Sequence, residues 1–399
     1  MSDTRPLPLP LAGLRIIAVE QYGAGPFGTQ HLADLGAEVI KIENPNDGGD
    51  VGRVVGPHYF GEGDSHFYQS FNRNKKSITL DLKKPQGKEA LRRLARDADV
   101  VFNNLRGDLP VKLGLTYEQL RDVNPALVCG HLSAYGRTGS RASWPGYDYL
   151  MQAEAGYLSV TGEPDGPPAR MGLSMIDLMT GTTAAMGLLA GVLGARSSGV
   201  GRDIDVSLFD VALHNLCYVA TWYLNAGKAI GREKRSAHPS LTPSQLYKTQ
   251  DGWVFIMCNK DKFWAVLAQA IGKPEWADAP EYRSFKDRLA NRDRLTAELD
   301  AVLQARTTDE WMKLFAGKVP AAPVYDIRQA LDSDFVAQQE RLLEFDHASG
   351  PIRMVASPVR AGAHPTRPAP AMGENTDEVL AQVGYTPQQI EQLRAGGVI

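Results

Sequence analysis

An aspartate stands immediately before a long uncharged stretch of the chain. Asp177 follows the segment Gly172-Leu-Ser174-Met-Ile, and residues 178–195 after it carry no charge. A carboxylate in the first turn of a helix is stabilised as an anion by the helix dipole. In a mostly apolar setting it is a usable nucleophile. Ser174 with Asp177 also resembles a capping box in which Asp replaces Glu or Gln, so the spacing fits a nucleophile and a helix cap equally.

A glycine-rich turn lies near the N-terminus. Gly23-Ala-Gly25-Pro-Phe-Gly28 follows a predicted strand, and Glu43 ends the next strand. This context meets the pattern of a dinucleotide-binding turn. Pro26, however, removes one N–H donor that the helix N-terminus would offer a pyrophosphate. The turn therefore predicts nucleotide binding, with NAD as one candidate, or only close packing of a strand against a helix.

Basic and amide side chains occur at two further places. Phe71-Asn-Arg-Asn-Lys-Lys-Ser77 combines three cations, two amides and an aromatic ring, which could hold phosphates and stack on a base. The same composition is typical of an exposed charged turn. Asn103, Asn104 and Arg106 follow a predicted buried strand, where open α/β sheets bind ligands.

Charge, cysteine and histidine content exclude several classes of function. The net charge of −3 gives no general attraction to nucleic acid or to an anionic membrane, so an anionic ligand needs a local basic patch. Three distant cysteines without a CxxC pair indicate a reducing compartment, with neither disulfides nor a zinc site. The histidines show no metal-binding spacing. No signal peptide is visible, and we expect a cytoplasmic protein with no bound metal.

Strand and helix patterns alternate along the first part of the chain. They predict a doubly wound α/β domain with strands at 14–20, 39–42, 77–82, 100–103 and 127–132 and helices at 27–35, 87–95 and 117–123. The stretch 178–195 approaches the length of a membrane span, but its Gly, Ala and Thr content favours a tightly packed buried helix. We expect a large domain over 1–224, a smaller α+β domain over 225–325, and a segment 326–399 that returns to the large domain.

Several motifs in order resemble the class III (family III) CoA-transferases. They are Leu11-Ala-Gly-Leu-Arg-Ile, Ala24-Gly-Pro-Phe, Leu35-Gly-Ala-Glu-Val-Ile-Lys-Ile-Glu43, Asn74-Lys-Lys-Ser-Ile and Asp205-Val-Ser-Leu-Phe-Asp210. The resemblance implies a Rossmann-like large domain, a small domain and an interlocked homodimer. It also implies an acyl-CoA donor, a carboxylic acid acceptor such as a dicarboxylate, and no permanently bound cofactor.

The resemblance assigns roles to individual residues. It places Asp177 at the aspartate that forms a mixed anhydride with the donor acyl group and then an aspartyl-CoA thioester. It places the contacts to coenzyme A at Gly23, Ala24, Asn44, Phe71, Asn72, Arg73, Asn74, Asn104, Leu105, Arg106, Lys112, Ser133, Ala134, Tyr135 and Gly136. The chain departs from the family at three places. Asn44 stands where an arginine is common, and Ser133 stands where some members have a lysine. The glycine-rich loop of formyl-CoA transferase is not evident at Met257-Cys-Asn-Lys260.

Two alternatives and one substrate expectation complete the sequence-based hypothesis. The α-methylacyl-CoA racemases share the fold of the family that this chain resembles. They have Gly-His-Asp at the position where this chain has Gly146-Tyr147-Asp148. A tyrosine, with a pKa near ~10, is a poor replacement for that base, so a transferase is favoured over a racemase and over an NAD-dependent oxidoreductase. Arg141, Arg170 and His238 could pair with a second carboxylate, which favours a dicarboxylate acceptor.

Overall fold

The computed structural model describes residues 7–399, which divide into two compact units. The first unit contains the described residues up to Ala155 together with Gly172–Cys217 and Ala337–Ile399. The second unit contains Gly156–Met171 and Tyr218–Val336. Relative to the predicted boundaries, the second unit gains residues 156–171 and 218–224, and the return segment begins at Ala337 instead of residue 326.

Six parallel strands form the main sheet of the first unit, in the order β5-β2-β1-β6-β7-β8. The strands up to residue 207 are β1 (Arg15–Val19), β2 (Glu38–Glu43), β3 (Tyr59–Gly61), β4 (Asp64–Ser65), β5 (Lys76–Thr79), β6 (Val100–Asn103), β7 (Val128–Ser133) and β8 (Arg202–Ser207). β3 and β4 form a separate antiparallel ribbon. The findings confirm a mixed α/β fold with a large parallel sheet.

The order of the six strands fixes where a ligand can enter. Counted along the chain, the order is 3-2-1-4-5-6, so the connections that leave neighbouring strands β1 and β6 run to opposite sides. Open α/β sheets bind ligands at the carboxyl ends of such a pair. β8 was not predicted, because Arg-Asp-Ile-Asp-Val-Ser alternates charged and aliphatic residues along a partly exposed edge strand.

Eight helices of the first unit precede residue 216. They are α1 (Ala24–Asp34), α2 (His66–Asn72), α3 (Pro85–Arg96), α4 (Leu109–Leu113), α5 (Tyr117–Leu120), α6 (Asp148–Glu154), α7 (Met175–Ser198) and α8 (Leu208–Asn215). α1 begins at Ala24, two residues before Pro26, whereas the predicted helix began after Pro26, at residue 27.

α7 packs closely on α1. A β-carbon built on Gly28 would lie 2.4 Å from the carbonyl oxygen of Gly181, so only glycine permits this approach. By length and composition α7 could cross a membrane, with a mean hydropathy of 1.5 over its best window. Core helices meet the same criteria, and α7 buries Ile176, Leu188 and Val192 within the first unit.

The second unit has its own sheet and core. Its elements are α9 (Cys217–Ala226), β9 (Ser244–Lys248), β10 (Trp253–Met257), α10 (Asp261–Ala270), α11 (Phe285–Ala290), α12 (Arg292–Leu303), α13 (Thr308–Phe315), β11 (Ala321–Pro323), α14 (Ile327–Leu331) and α15 (Asp334–Ala337). The three strands are antiparallel, and β9 and β10 form a hairpin. Trp264, Tyr247 and Leu299 are among the buried core residues.

The return segment completes the first unit. It contains β12 (Leu342–Phe345), β13 (Ile352–Val355), α16 (Thr376–Gln382) and α17 (Pro387–Ala395). Leu380 and Ile390 belong to the same buried cluster as Ile40, Ile78 and Val101 of the main sheet. The end of the chain is therefore part of the core on which the central strands rest.

Candidate active site

Asp177 lies in the first turn of α7 and does not cap the helix. Its main-chain N–H donates to Oδ2 of Asp148 at 3.0 Å, so the capping acceptor comes from α6. Ser174, at the N-cap position, makes no side-chain capping hydrogen bond. Within residues 7–399 the carboxylate of Asp177, 5% exposed, accepts no hydrogen bond. Its oxygens therefore remain available for another reaction partner.

The electrostatic surroundings of Asp177 raise its pKa. Burial, followed by the negative charge of Asp148, raises the pKa of Asp177 to about 7. The sequence predicted a carboxylate kept ionised by the helix N-terminus. The structure adds two influences that favour the protonated form, namely loss of hydration and the neighbouring carboxylate of Asp148. At neutral pH a large share of Asp177 still carries the charge that a nucleophile needs.

The turn after β1 touches the Asp177 carboxylate. A β-carbon built on Gly23 would lie 2.9 Å from Oδ2 of Asp177, so the main chain of Gly23 forms one wall around the carboxylate. Ala24 follows as the first, buried residue of α1. The predicted site residues Gly23, Ala24 and Asp177 are therefore in one place.

Asn104 links the ends of β1 and β6. Its side chain accepts from the N–H of Gln21 at 2.9 Å and donates to the Gln21 carbonyl at 2.7 Å. Gly25 leaves room for it, since a β-carbon there would lie 2.8 Å from the Asn104 side chain. The two hydrogen bonds between Asn104 and Gln21 therefore join β1 to β6 at the point where the strand connections diverge.

A cleft of about 250 Å³ opens at the carboxyl ends of the strands, with Gln21, Asn44 and Leu105 among its lining residues. Arg106 and Lys112 belong to the segment that follows Leu105, and both pair with Asp108, at 3.1 Å and 2.7 Å. Their side chains are 46% and 64% exposed, so both can exchange this partner for a ligand phosphate.

The loop after β7 adjoins the loop after β6. Ser133 Oγ accepts from the N–H of Gly136 at 3.0 Å, and Tyr135 donates to Glu154 at 2.7 Å. A β-carbon built on Gly107 would lie 2.1 Å from the carbonyl oxygen of Gly136. Ala134, between Ser133 and Tyr135 in the chain, is buried. The structure thus brings the predicted group 133–136 next to the predicted group 104–106.

The basic segment 71–77 does not present its cations to a ligand. Arg73 is 6% exposed and pairs with Asp34 at 2.7 Å. Asn74 donates to Asp34, and buried Asn72 accepts from the ammonium group of Lys75. Because these polar groups bind the protein itself, contact of Asn72, Arg73 and Asn74 with coenzyme A stays a prediction.

Phe71 does remain near the site. Its ring packs at 4.8 Å from that of Phe67, which packs at 5.0 Å from Tyr22. The rings of Phe71 and Phe27 also meet edge to face, with centroids 6.0 Å apart. These aromatic contacts connect α2 to the turn that carries Gly23.

Buried ion pairs, which the sequence analysis missed, support this turn. Lys41 pairs with Asp50 at 2.7 Å and Lys75 pairs with Glu20 at 2.7 Å, and all four side chains are fully buried. Burial, the largest influence, lowers the pKa of Lys75 to about 8. The available signal in the sequence was the position of Lys41 between two isoleucines at the predicted strand 39–42.

Glu43 is not available to hold a ribose. Its carboxylate accepts from Arg53 at 2.6 Å and from the Ser77 hydroxyl at 2.6 Å. Burial opposes its ionisation, but these bonds and the charges of Arg53 and Lys41 bring the pKa of Glu43 to about 2. The dinucleotide-binding reading of the glycine-rich turn therefore loses the acidic residue that it requires.

The three residues proposed for a second carboxylate have different surroundings. Arg141 pairs with Glu154 and lies over the ring of Trp144. Arg170 and His238 belong to the second unit, where the ring of His238 accepts from the N–H of Ser240 at 3.1 Å. In the described part of the chain, no group of three or more His, Cys, Asp or Glu could hold a metal ion.

Known proteins resemble this chain over most of its length. It is 34% identical to succinate–glutarate CoA-transferase of Agrobacterium fabrum, over 94% of this chain and 96% of that protein. It is 32% identical to human succinyl-CoA:glutarate CoA-transferase (98% and 90%) and 36% identical to acetyl-CoA:oxalate CoA-transferase of Acetobacter aceti (89% and 90%).

Solved structures have the same fold. A CAIB/BAIF family protein from Brucella suis superposes with a TM-score of 0.82 at 31% identity, covering 94% of this chain and all of that one. Rv3272 from Mycobacterium tuberculosis gives 0.82 at 32% identity, with the same coverage. Residues 11–376 match CoA-transferase family III, and the chain belongs to that family.

Proposed function

We propose that this chain moves coenzyme A from an acyl-CoA donor, such as succinyl-CoA, to a carboxylic acid, with Asp177 as the nucleophile. The observation that carries the proposal is the Asp177 carboxylate, which is buried, accepts no hydrogen bond from residues 7–399, and contacts the turn after β1. A carboxylate that serves only the fold would be paired, as Glu43 and Asp34 are.

The reaction begins when ionised Asp177 attacks the thioester carbonyl carbon and expels the CoA thiolate, leaving a mixed anhydride. The thiolate then attacks the Asp177 carbonyl carbon, which releases the donor acid and leaves an aspartyl-CoA thioester. The acceptor carboxylate attacks this thioester, the C–S bond breaks to release the CoA thiolate, and a second anhydride forms. Return of the thiolate to the acceptor acyl carbon gives the new acyl-CoA and free Asp177. Burial of Asp177 supports this sequence, because water would hydrolyse either anhydride.

Coenzyme A is proposed to lie along the carboxyl ends of β1, β6 and β7. The cleft beside Asn44 and Leu105 has room for part of the nucleotide, and exposed Arg106 and Lys112 supply positive charge for its phosphates. The proposed contacts are Gly23, Ala24, Asn44, Phe71, Asn104, Leu105, Arg106, Lys112 and 133–136. Asn72, Arg73 and Asn74 are omitted because their polar groups are occupied.

The acceptor is proposed to be a dicarboxylate. The similar proteins named for glutarate and oxalate support this choice. A second carboxylate on the acceptor needs a cation, and Arg141 remains a candidate because its ion pair with Glu154 is partly exposed.

We also propose an interlocked homodimer that works in the cytoplasm. Apolar residues are exposed on α9, where Leu224 is 77% exposed, and on α7, where Met186 and Leu193 are 66% and 70% exposed. A partner chain would cover such surfaces. A folded monomer detected by mass photometry at nanomolar concentration would contradict the dimer. The strand order supports the Rossmann-like description of the first unit.

The function is tested by incubating the protein with succinyl-CoA and a panel of carboxylic acids and following the CoA esters by mass spectrometry. We expect acyl exchange, and hydroxylamine added during turnover should convert Asp177 to a hydroxamate. Exchange of an α-proton without acyl transfer would instead favour a racemase, even though Tyr147 replaces the expected histidine. A hydroxamate on another residue would refute Asp177 as the nucleophile.

A further inference from the structure

Tyr22, between Gln21 and Gly23, has a strained main chain. Its φ of 67° lies in the left-handed region, which bulky side chains rarely adopt. The conformation is held by a 2.8 Å hydrogen bond from the Tyr22 N–H to Oδ1 of Asp50. Asp50 is itself fixed by the buried pair with Lys41. Such strain persists only where the surroundings enforce it, and it is concentrated at functional sites.

The Tyr22 ring packs among residues whose neighbours in the chain contact Asp177. The ring lies 5.0 Å from Phe67 and 6.2 Å from Tyr147, between centroids. The chain neighbours of Tyr22 and Tyr147 are the two groups that contact Asp177. Gly23, which follows Tyr22, touches the carboxylate, and Asp148, which follows Tyr147, accepts from the Asp177 N–H.

The phenol is suited to donate a hydrogen bond. Burial, followed by the charge of Asp177, raises the pKa of Tyr22, so the hydroxyl keeps its proton at physiological pH. The nucleophile itself does not use this donor, because no hydrogen bond to the Asp177 carboxylate exists among residues 7–399. Among residues 7–399 the Tyr22 hydroxyl also has no other hydrogen-bond acceptor, so it can serve a substrate atom that approaches Asp177.

We propose that the Tyr22 hydroxyl donates a hydrogen bond to the carbonyl oxygen of the thioester that Asp177 attacks. This inference rests on the proposed function and adds a catalytic residue to it. An electron pair of Asp177 forms the new C–O bond, and the carbonyl pair moves onto the oxygen that faces Tyr22. When the carbonyl reforms, the C–S bond breaks and its pair leaves on the CoA thiolate. Tyr22 keeps its proton throughout, and its bond strengthens as the oxygen becomes negative.

Tyr22→Phe tests the proposal, since phenylalanine keeps the ring that packs on Phe67 and loses only the hydroxyl. We expect kcat to fall roughly 10²-fold, as for other oxyanion donors, with KM for the acyl-CoA changed less than about 2-fold. The rate of hydroxamate formation at Asp177 should fall by the same factor as kcat. The thermal midpoint should stay that of the wild type.

Tyr117→Phe is the matched control, because it also removes one phenol oxygen, which there donates to the Pro125 carbonyl. We expect this variant to keep wild-type kcat. A Tyr22→Phe enzyme with wild-type kcat and labelling rate would overturn the role of Tyr22 alone. So would a loss confined to acyl-CoA binding or to the thermal midpoint. Absence of a hydroxamate at Asp177 in the wild type would overturn the proposed function, and this inference with it.

Discussion

The N–H of Asp177 donates to Oδ2 of Asp148 at 3.0 Å, so one buried aspartate anchors the helical turn that holds the other. The second oxygen of Asp148 accepts from Gln152 at 2.6 Å, which fixes its orientation. This arrangement replaces the capping role that the sequence had offered to Asp177. It also sets a negative charge beside the nucleophile and thereby adjusts its ionisation.

The acylation rate should depend on pH through Asp177. Because burial raises its pKa to about 7, the ionised nucleophile increases as pH rises through neutrality. We expect kcat/KM for succinyl-CoA to increase from pH 5.5 and to level off above pH 8. Rapid-quench measurement of the first turnover isolates this step. A flat profile over that range would show that Asp177 is fully ionised before the substrate binds.

Asp148→Asn should move that profile to lower pH. The amide keeps an oxygen that can accept from the Asp177 N–H, but it removes the charge that raises the pKa of Asp177 after burial. We therefore expect a lower apparent pKa in kcat/KM, with the helix start preserved. Circular dichroism would check the fold, and an unchanged apparent pKa would contradict the electrostatic role of Asp148.

Asp177→Asn should stabilise the protein in alkaline solution while abolishing transfer. The folded protein holds a proton on Asp177 between pH 4 and about 7 that the unfolded chain has lost, so stability falls as pH rises through this window. An asparagine does not lose a proton, so the variant avoids this loss of unfolding free energy. Above pH 8 the loss amounts to roughly 4 kcal/mol, because each pKa unit by which folding raises the pKa of Asp177 contributes about 1.4 kcal/mol.

Chemical unfolding at pH 4 and pH 8.5 measures this difference. The stabilisation should be small at pH 4 and largest at pH 8.5. Asp332→Asn, at an exposed aspartate, is the control and should show little dependence on pH. Equal effects of Asp177→Asn at both pH values would mean that the nucleophile is ionised in the folded protein over the whole range.

Replacing Arg73 should lower the stability of the protein, whereas replacing Arg106 should weaken the binding of acyl-CoA. Arg73→Ala leaves Asp34 without its buried ion-pair partner, which should cost about 3–5 kcal/mol of unfolding free energy. Arg106→Ala should raise KM for acyl-CoA severalfold and leave stability nearly unchanged, because its pair with Asp108 is exposed. Arg121→Ala, in an exposed pair with Glu118, should do neither. An increased KM in a stable Arg73→Ala protein would restore the basic segment to the site.

Gly23→Ala should impair catalysis through steric contact. The added methyl group would lie 2.9 Å from Oδ2 of Asp177, so the carboxylate must move to accommodate it. We expect a large fall in the rate of hydroxamate formation with a smaller effect on the thermal midpoint. Gly61→Ala, where a β-carbon meets nothing within 4 Å, is the control. Wild-type labelling by Gly23→Ala would show that the carboxylate reacts from another position.

Local pattern identified most of the elements, and motif order identified the family. β6 coincides with the predicted range 100–103, because a run of aliphatic residues with flanking polar residues marks it. The order of the motifs was enough to recognise the family of the chain. The spacing around Asp177 did not decide whether this residue is a helix cap or a nucleophile. The ion pair of Arg73 could not be read locally, since Asp34 lies 39 residues away. Tyr22 was missed because a left-handed φ at a tyrosine has no signal in residue type.

The return segment has a consequence for the order in which the protein folds. The N–H of Asp81 donates to the carbonyl of Val398 at 2.7 Å, and the N–H of Asn74 to that of Arg367 at 2.9 Å. The edge of the sheet beside β5 therefore lacks these partners until residues 367 to 398 have been synthesised. Most of the second unit, residues 218–336, is continuous and has been synthesised by then. During translation the later unit can finish first, which reverses the usual N-terminal order.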